Sequence, residues 1–454
     1  MKKVAAILLI LGIIFSMVGC QSAPVAGTTA PTQTTSTTTT ATNPTQTETI
    51  PATTETIPVE VETILQETVP PETEPMFIPE WTEEQRQLLW TPLCESFIYL
   101  RDLDMSTVIC EVPLGAELLL HKWQGQYALV TYNGRKGYVT ANYIQPLDKE
   151  YFTKRLTVLS PTAQYTYEQM VADMAELQAA YPDSVRLGSI GKSEQRRDIP
   201  VMIVGNPQAP NHVLMQGAMH AREHFTGWLL MAIMDHALNT KLLSENVCYH
   251  VIPISNPDGV TLSQTQALNE NQVQIYLRDL ACGYVNWGQK EYARQWKANA
   301  LGVDLNRNFP SGWENSLEHP QPSIFRYRGE SPLCAAESKA LADYTQSRHF
   351  DATFSFHSHG SVLYYAYGSK QPVNDLSYSL ALTVQQQTGY IPIGGSDGTP
   401  GAGYKDWAMD ALGIPSLTVE IGSTRTPLEN RDIYNTFARF ESILPAISAW
   451  LARR

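Results

Sequence analysis

The sequence predicts an α/β protein: a mixed, mostly parallel sheet with helices on both faces, preceded by a small all-β barrel. Three observations lead there. From about residue 151 onward, apolar runs of strand length ("VRLGSIG", "IPVMIVG", "HVLMQGAM", "CYHVIPISNP", "ATFSFHSHG", "PSLTVEIG") alternate with helical patterns such as "YTYEQMVADMAELQAAYP", as expected of a sheet covered on both faces. Between residues 80 and 148, short alternating segments surround Asn133-Gly134, the strongest short hairpin signal. At 454 residues the chain also exceeds the roughly 100–200 residues typical of one domain.

The first element is residues 1–19. "MKKVAAILLILGIIFSMVGCQS" joins a basic start to an apolar stretch of about 15 residues, short of the roughly 20 that a spanning helix needs. It reads as an export signal. Its end, "MVGC", resembles the bacterial lipobox, which makes Cys20 the lipidated amino terminus of the mature chain; the alternative is a general signal peptide with Cys20 incidental. Residues 20–78 are rich in Thr, Pro, Ala and Glu and repeat "ETIP". Such a segment cannot bury a core and is expected to be an extended tether, at most roughly 180 Å long at about 3.1 Å per residue. The net charge is −13, and no lysine or arginine occurs between Cys20 and Gln85. This acidity argues against nucleic acid as a partner.

Export permits disulfides. Cys94 with Cys110 and Cys282 with Cys334 are candidate pairs, buried free thiols being the alternative, and Cys248 is left over. Connectivity does not follow from sequence. Over residues 80–148, "YLRD", "VPLGAELLL" and "YALVTYNGRKGYVTANYI" resemble the bacterial SH3-like domain. The resemblance implies a barrel that binds cell-wall peptides; a spacer without a ligand is the alternative.

Residues 151–454 carry the chemistry. His220 follows the apolar run "HVLMQGAM" at a strand end, and "REHFTGWLLMAIMDHAL" continues as a helix. A histidine at a strand end and Glu223 three residues later can converge on one ion. Zinc accepts both donor types, and a catalytic zinc takes three protein ligands, leaving one position for water. "FSFHSHG" offers His357 as the third. Alone, the His-x-x-Glu pair is explained by a surface helix start more often than by a metal.

The landmarks "GAMHARE", "SNPDGV", "GVDLNRNFP", "FHSHG", "KDWA" and "TVEIG" resemble, in order and separation, those of the zinc carboxypeptidase family. The resemblance implies one zinc held by His220, Glu223 and His357, with Glu420 as the general base for the attacking water. Asp304 matches the carboxylate that orients the first histidine. Asn306 and Arg307 match the pair that binds the substrate's terminal carboxylate, a role suited to the planar guanidinium. Arg222 would add positive charge near the scissile carbonyl or the substrate carboxylate. Two positions depart from the animal digestive members. Lys297 in "QWKANA" stands where they have an oxyanion-stabilising arginine, and a point charge replaces a fork. The mobile substrate-binding tyrosine has no clear counterpart: a count back from "KDW" reaches Gly398, with Tyr390 and Tyr404 as candidates.

Lys405, immediately before "DW", occupies the family's specificity position at the base of the side-chain pocket. A lysine there favours a carboxylate. With "WKANALGVDLNRNFP", it resembles the bacterial branch that hydrolyses γ-D-glutamyl-diaminopimelate bonds in peptidoglycan stem peptides. The expectation is an exported zinc peptidase, lipid-anchored on the outer face of the bacterial cytoplasmic membrane and facing the wall. Three rivals stay open. One is a general carboxypeptidase. Another is a non-catalytic wall-binding lipoprotein. The third is an H-x-x-E-H site running from His220 to His224, which would need both histidines on one helix.

Overall fold

A computed structural model describes residues 81–93, 96–316, 319–394, 401–422 and 425–454. The expected signal, Cys20, the tether and Cys94 lie outside these residues. Two sheets organise the described chain, within one compact unit, Thr73–Arg454.

The first sheet comprises β1 (Leu89–Pro92), β2 (Phe97–Arg101), β3 (Val108–Pro113), β4 (Leu118–Gln124), β5 (Tyr127–Tyr132), β6 (Arg135–Thr140) and β7 (Ile144–Pro146). Its order is β3-β2-β6-β5-β4-β1-β7, and every pairing is antiparallel. Asn133 (φ 46°) and Gly134 (φ 75°) form the turn between β5 and β6, both in the left-handed region that a two-residue hairpin needs.

The second sheet comprises β8 (Val185–Lys192), β9 (Asp198–Val204), β10 (Asn211–Gln216), β11 (Val247–Ile252), β12 (Ala352–Ser358), β13 (Val362–Tyr364), β14 (Ile391–Ile393) and β15 (Ser416–Ile421). The order is β14-β13-β15-β12-β10-β11-β9-β8. Pairing is parallel across the centre, β15-β12-β10-β11, and between β13 and β14. It is antiparallel at β13-β15, β11-β9 and β9-β8.

The expected fold class therefore needs correction. Across two large sheets most pairings are antiparallel, and a mostly parallel sheet beside a small SH3-like barrel is not supported. The seven-stranded sheet has β3 and β7 as its edges and does not close among the described residues. Apolar alternation reveals strands but not their direction, which depends on the connections. Residues 193–197 alone join β8 to β9, too short for the crossover that a parallel neighbour requires. Closure depends on distant pairings that no local pattern encodes.

Each central strand of the larger sheet faces two cores. On β10, Val213 and Met215 join the core that contains the helix Phe225–Asn239, while Leu214 joins one with Ala340, Leu341 and Trp407 on the opposite face. Every residue from Phe225 to Leu238 is buried, which explains an apolar pattern with no polar stripe. Ala352, Phe354 and Phe356 of β12 and Leu417, Val419 and Ile421 of β15 face the first core. By alternation, Ser355, His357 and Glu420 face the second side.

The seven-stranded sheet packs directly on the rest. Gly125 N–H donates to the Gly389 carbonyl at 2.8 Å, and the Arg439 guanidinium lies 4.6 Å over the Trp123 ring. Gly389 has φ 69°, and a Cβ there would come within 2.3 Å of the Trp123 carbonyl oxygen, so the contact requires glycine. Cys110, Cys248, Cys282 and Cys334 are free thiols, and the candidate bridge between Cys282 and Cys334 is not formed.

Candidate active site

The chain leaves β10, reaches His220 in extended conformation (φ −87°, ψ 125°), makes a single 3-10 turn over Ala221–Glu223 and enters the helix Phe225–Asn239. Thr226 secures this entry: its hydroxyl donates to the Glu223 carbonyl at 2.7 Å and accepts the Ala218 N–H at 2.7 Å. His220 and Glu223 thus project from a turn. His224 points elsewhere, 2% exposed, and is absent from the metal-ligating trio. The one-helix H-x-x-E-H arrangement is not formed.

His220, Glu223 and His357 place their ligand atoms within 4.8 Å of one another, all buried. His220 Nδ1 lies 2.9 Å from Glu223 Oε1 and 3.0 Å from His357 Nδ1, which is 3.0 Å from Glu223 Oε2. The outer nitrogens are held from behind. His220 Nε2 is 3.1 Å from Asp304 Oδ1, and His357 Nε2 is 3.0 Å from Ser355 Oγ. With the Nε2 protons donated to these outer partners, both Nδ1 atoms would be free to bind an ion beside the Glu223 carboxylate. Two imidazole nitrogens and one carboxylate, each braced by an outer partner, are the donor set of a catalytic zinc. The residues fit the ion.

The charges agree. Burial opposes ionisation of Glu223, but His220 and His357 hold its carboxyl well below the usual range. Burial likewise opposes ionisation of Asp304, and Lys297 and then His220 outweigh it. Glu420 pairs with His357 in the β12-β15 register. Loss of solvation, with the Glu223 charge acting in the same direction, pushes the Glu420 pKa up to about 7, against the pull of His357, Lys297 and Arg222. A carboxylate tuned near neutrality suits a general base.

Asp304 connects this centre to the neighbouring residues. Its Oδ1 also accepts the Asn306 N–H at 3.2 Å, its Oδ2 accepts the Arg326 N–H at 2.9 Å, and Lys297 Nζ lies 3.7 Å away. Asn306 and Arg307 therefore begin a turn anchored on the carboxylate that orients His220. Asn306 Oδ1 accepts the Tyr404 N–H at 3.1 Å, which carries the chain to Lys405. Lys405 is 7% exposed, and its ammonium donates to the Ala366 carbonyl at 2.7 Å and to Asp406 Oδ1 at 2.5 Å. A Cβ on Gly403 would stand 2.9 Å from Asn306 Oδ1 and 3.3 Å from Asp406 Oδ2, so these groups line one crowded wall. Arg222 donates to Gln295 Oε1 at 3.0 Å, and its buried Nε has no hydrogen-bond partner among the described residues.

Several contributors escaped sequence reasoning. Ser355 lies two residues before His357, hence on the same strand face, a signal that could have been used. Gln216, which donates to Ser355 and accepts from Ser255 at 2.9 Å, had none: only the register Gln216↔Ser355 between β10 and β12 reveals it. Asp406 was read only as part of a motif. Tyr390 and Tyr404 are core residues, 1% and 0% exposed, unsuited to a mobile role. Gly398 lies outside the described residues.

Comparison with known proteins agrees with this geometry. Residues 170–446 match the Peptidase_M14 family, zinc carboxypeptidase. The chain is 32% identical over 291 residues to γ-D-glutamyl-L-diamino acid endopeptidase 1 of Lysinibacillus sphaericus, spanning 61% of this chain and 70% of that relative. It is 26% identical over 270 residues to mast cell carboxypeptidase A of Mus musculus, spanning 55% and 60%. Thrombin activatable fibrinolysis inhibitor shares the fold with a TM-score of 0.52 at 19% identity, over 68% of this chain and 84% of that one. The chain belongs to the zinc carboxypeptidase family, and it is a zinc metallopeptidase.

Proposed function

We propose that this peptidase hydrolyses peptidoglycan stem peptides at the γ-D-glutamyl-meso-diaminopimelate bond. The observation that carries the reading is the ion pair of buried Lys405 with half-buried Asp406 beside Asn306. Diaminopimelate ends its side chain in a second amino acid head, one ammonium and one carboxylate. A pocket wall bearing one charge of each sign complements that head, whereas an apolar side chain would desolvate the pair without adding a partner to either charge. The L. sphaericus relative, named for a γ-D-glutamyl-L-diamino acid bond, supports the same substrate class.

Bound by His220, Glu223 and His357, zinc would polarise the scissile carbonyl and acidify a water. Glu420 takes the proton of that water and delivers it to the departing amine. Arg222 and Lys297 offset negative charge developing on the carbonyl oxygen, while Asn306 and Arg307 hold the main-chain carboxylate of the diaminopimelyl residue. In this reading Cys20 carries a lipid anchor, residues 20–78 span toward the wall, and the seven-stranded sheet engages wall peptide. A cavity of about 270 Å³ lined by Phe97, Tyr99, Tyr127, Tyr138 and Tyr143 supplies aromatic surface for that contact.

The test is mass spectrometry of L-Ala-γ-D-Glu-diaminopimelate, with and without D-Ala, after incubation with the enzyme, with and without chelator. Chelator-sensitive release of diaminopimelate or its D-Ala extension is expected. Intact stem peptides, alongside trimming of apolar-ended peptides by the same zinc-loaded protein, would replace this reading with a general carboxypeptidase.

A further inference from the structure

A second cluster of ligating side chains lies at the other end of the central strands. His212 on β10 pairs with Cys248 on β11, and Leu214 pairs with His250. Paired residues of neighbouring strands project to the same face, so His212, Cys248 and His250 share the side of the sheet that also carries the active site. Their ligand atoms lie within 4.8 Å of one another. His212 Nδ1 is 3.0 Å from His250 Nε2, which is 4.0 Å from Cys248 Sγ.

These separations match an ion. Tetrahedral zinc, at about 2.05 Å from nitrogen and about 2.3 Å from sulfur, sets nitrogen atoms about 3.3 Å apart and nitrogen about 3.6 Å from sulfur. The observed distances bracket those values without rearrangement of the backbone. The nitrogens of the active-site histidines stand at the same 3.0 Å.

The surroundings also suit a ligand set. His250 Nδ1 is 2.7 Å from the Tyr344 hydroxyl, on the helix Ala336–Gln346. Donation of the Nδ1 proton to that oxygen leaves the Nε2 lone pair facing His212 and Cys248, the outer-partner arrangement of metal-bound imidazoles. Phe350 packs edge-on against the His250 ring at 5.1 Å and keeps it in place. Cys248 and His250 are 0% and 4% exposed, while His212 is half-buried, so a fourth position opens on the solvent side. Asp351 lies at that mouth, its carboxylate accepting the His212 backbone N–H at 2.9 Å. Arg186 acts on Cys248 and Arg348 on His250, so the cluster has both signs of charge around it.

We propose that His212, Cys248 and His250 form a second metal site, for a transition ion of the zinc class. Imidazole and thiolate donors select borderline and soft ions over magnesium or calcium. Binding displaces the Cys248 thiol proton to solvent and moves the proton shared by the two imidazoles to His212 Nε2, so that both rings bind as neutral ligands. The ion would clamp β10 to β11 about 13 Å along the strand from Gln216, at about 3.3 Å per residue. It takes no part in hydrolysis.

The test is metal analysis and absorption spectroscopy of the full-length protein loaded with Co²⁺. His220, Glu223 and His357 offer no sulfur, so a thiolate-to-cobalt charge-transfer band can arise only outside that ligand set. Expected are two ions per chain and such a band. Cys248→Ser should lose the band, and His212→Ala, at a half-buried position, should lose one ion and the band while keeping stem-peptide hydrolysis within about twofold. One ion per chain without a thiolate band, or a band that survives in Cys248→Ser, would overturn the proposal.

Discussion

The two ends of β10 carry two clusters in which histidine nitrogens stand 3.0 Å apart. At the carboxyl end, His220, Glu223 and His357 meet with Glu420, Arg222, Lys297 and Asp304 around them. At the amino end, His212, Cys248 and His250 meet against Tyr344 and Phe350. Donor geometry alone therefore does not make a catalytic centre. What distinguishes the first cluster is a carboxylate outside the ligand set, cations close to it, and a turn that anchors Asn306 and Arg307 on Asp304. The carboxyl ends of parallel strands also open into loops, where such groups gather.

Substitutions should separate the two ends, beginning with the largest effect. Glu420→Gln is expected to lower kcat by about 10²- to 10⁴-fold at full zinc content, whereas His357→Ala should lose both zinc and activity; undiminished turnover in the glutamine variant would remove Glu420 from the role of base. Lys405→Asp should lower kcat/KM for diaminopimelyl peptides by about 10²-fold, the scale of losing a buried charged hydrogen bond, and move preference toward basic residues. An unchanged substrate profile would make Lys405 a purely structural partner of Asp406. Ser355→Ala should weaken zinc affinity at the carboxyl-end cluster by about 10- to 100-fold without altering the ion held by Cys248, and equal loss at both clusters would show that the two are not independent.

The smallest effect concerns His224, which lies next to Glu223 in sequence yet outside the centre. Burial holds its pKa down to about 4, from 6.5 in the open chain. The unfolded state takes up the proton first, so the stability owed to neutral His224 is fully present above pH 6.5 and falls as pH drops toward 4. The slope is about 1.4 kcal/mol per pH unit. Urea unfolding across that window should show a shallower pH dependence in His224→Leu, and identical slopes would contradict a neutral buried imidazole.

How much could be read in advance depended on how local each feature is. The turn that presents His220 and Glu223 is written within six residues, and the Asn133-Gly134 hairpin within two. Asp304, Asn306 and Arg307 share one short turn and were readable as a unit. Ser355 was legible in principle from strand alternation. Gln216 and the trio of His212, Cys248 and His250 were not, because they depend on which strands lie side by side and in what register. The direction of β8 and β9 was encoded in a short connection, but the open seven-stranded sheet rests on pairings such as β1 with β4 and β2 with β6.

By itself the sequence determined the candidate ligand types, their order along the chain, the carboxylate on β15 proposed as base and the charge at the proposed specificity position, because side-chain chemistry and short spacing survive without a fold. Tertiary structure alone decided that Lys405 is buried against Asp406, that His357 is braced through Ser355 by Gln216, and that a histidine at the start of β10 stands over a cysteine and a histidine of β11. The reason is physical. Contacts between strands are made by register across tens or hundreds of residues, and no local pattern specifies which strand becomes the neighbour.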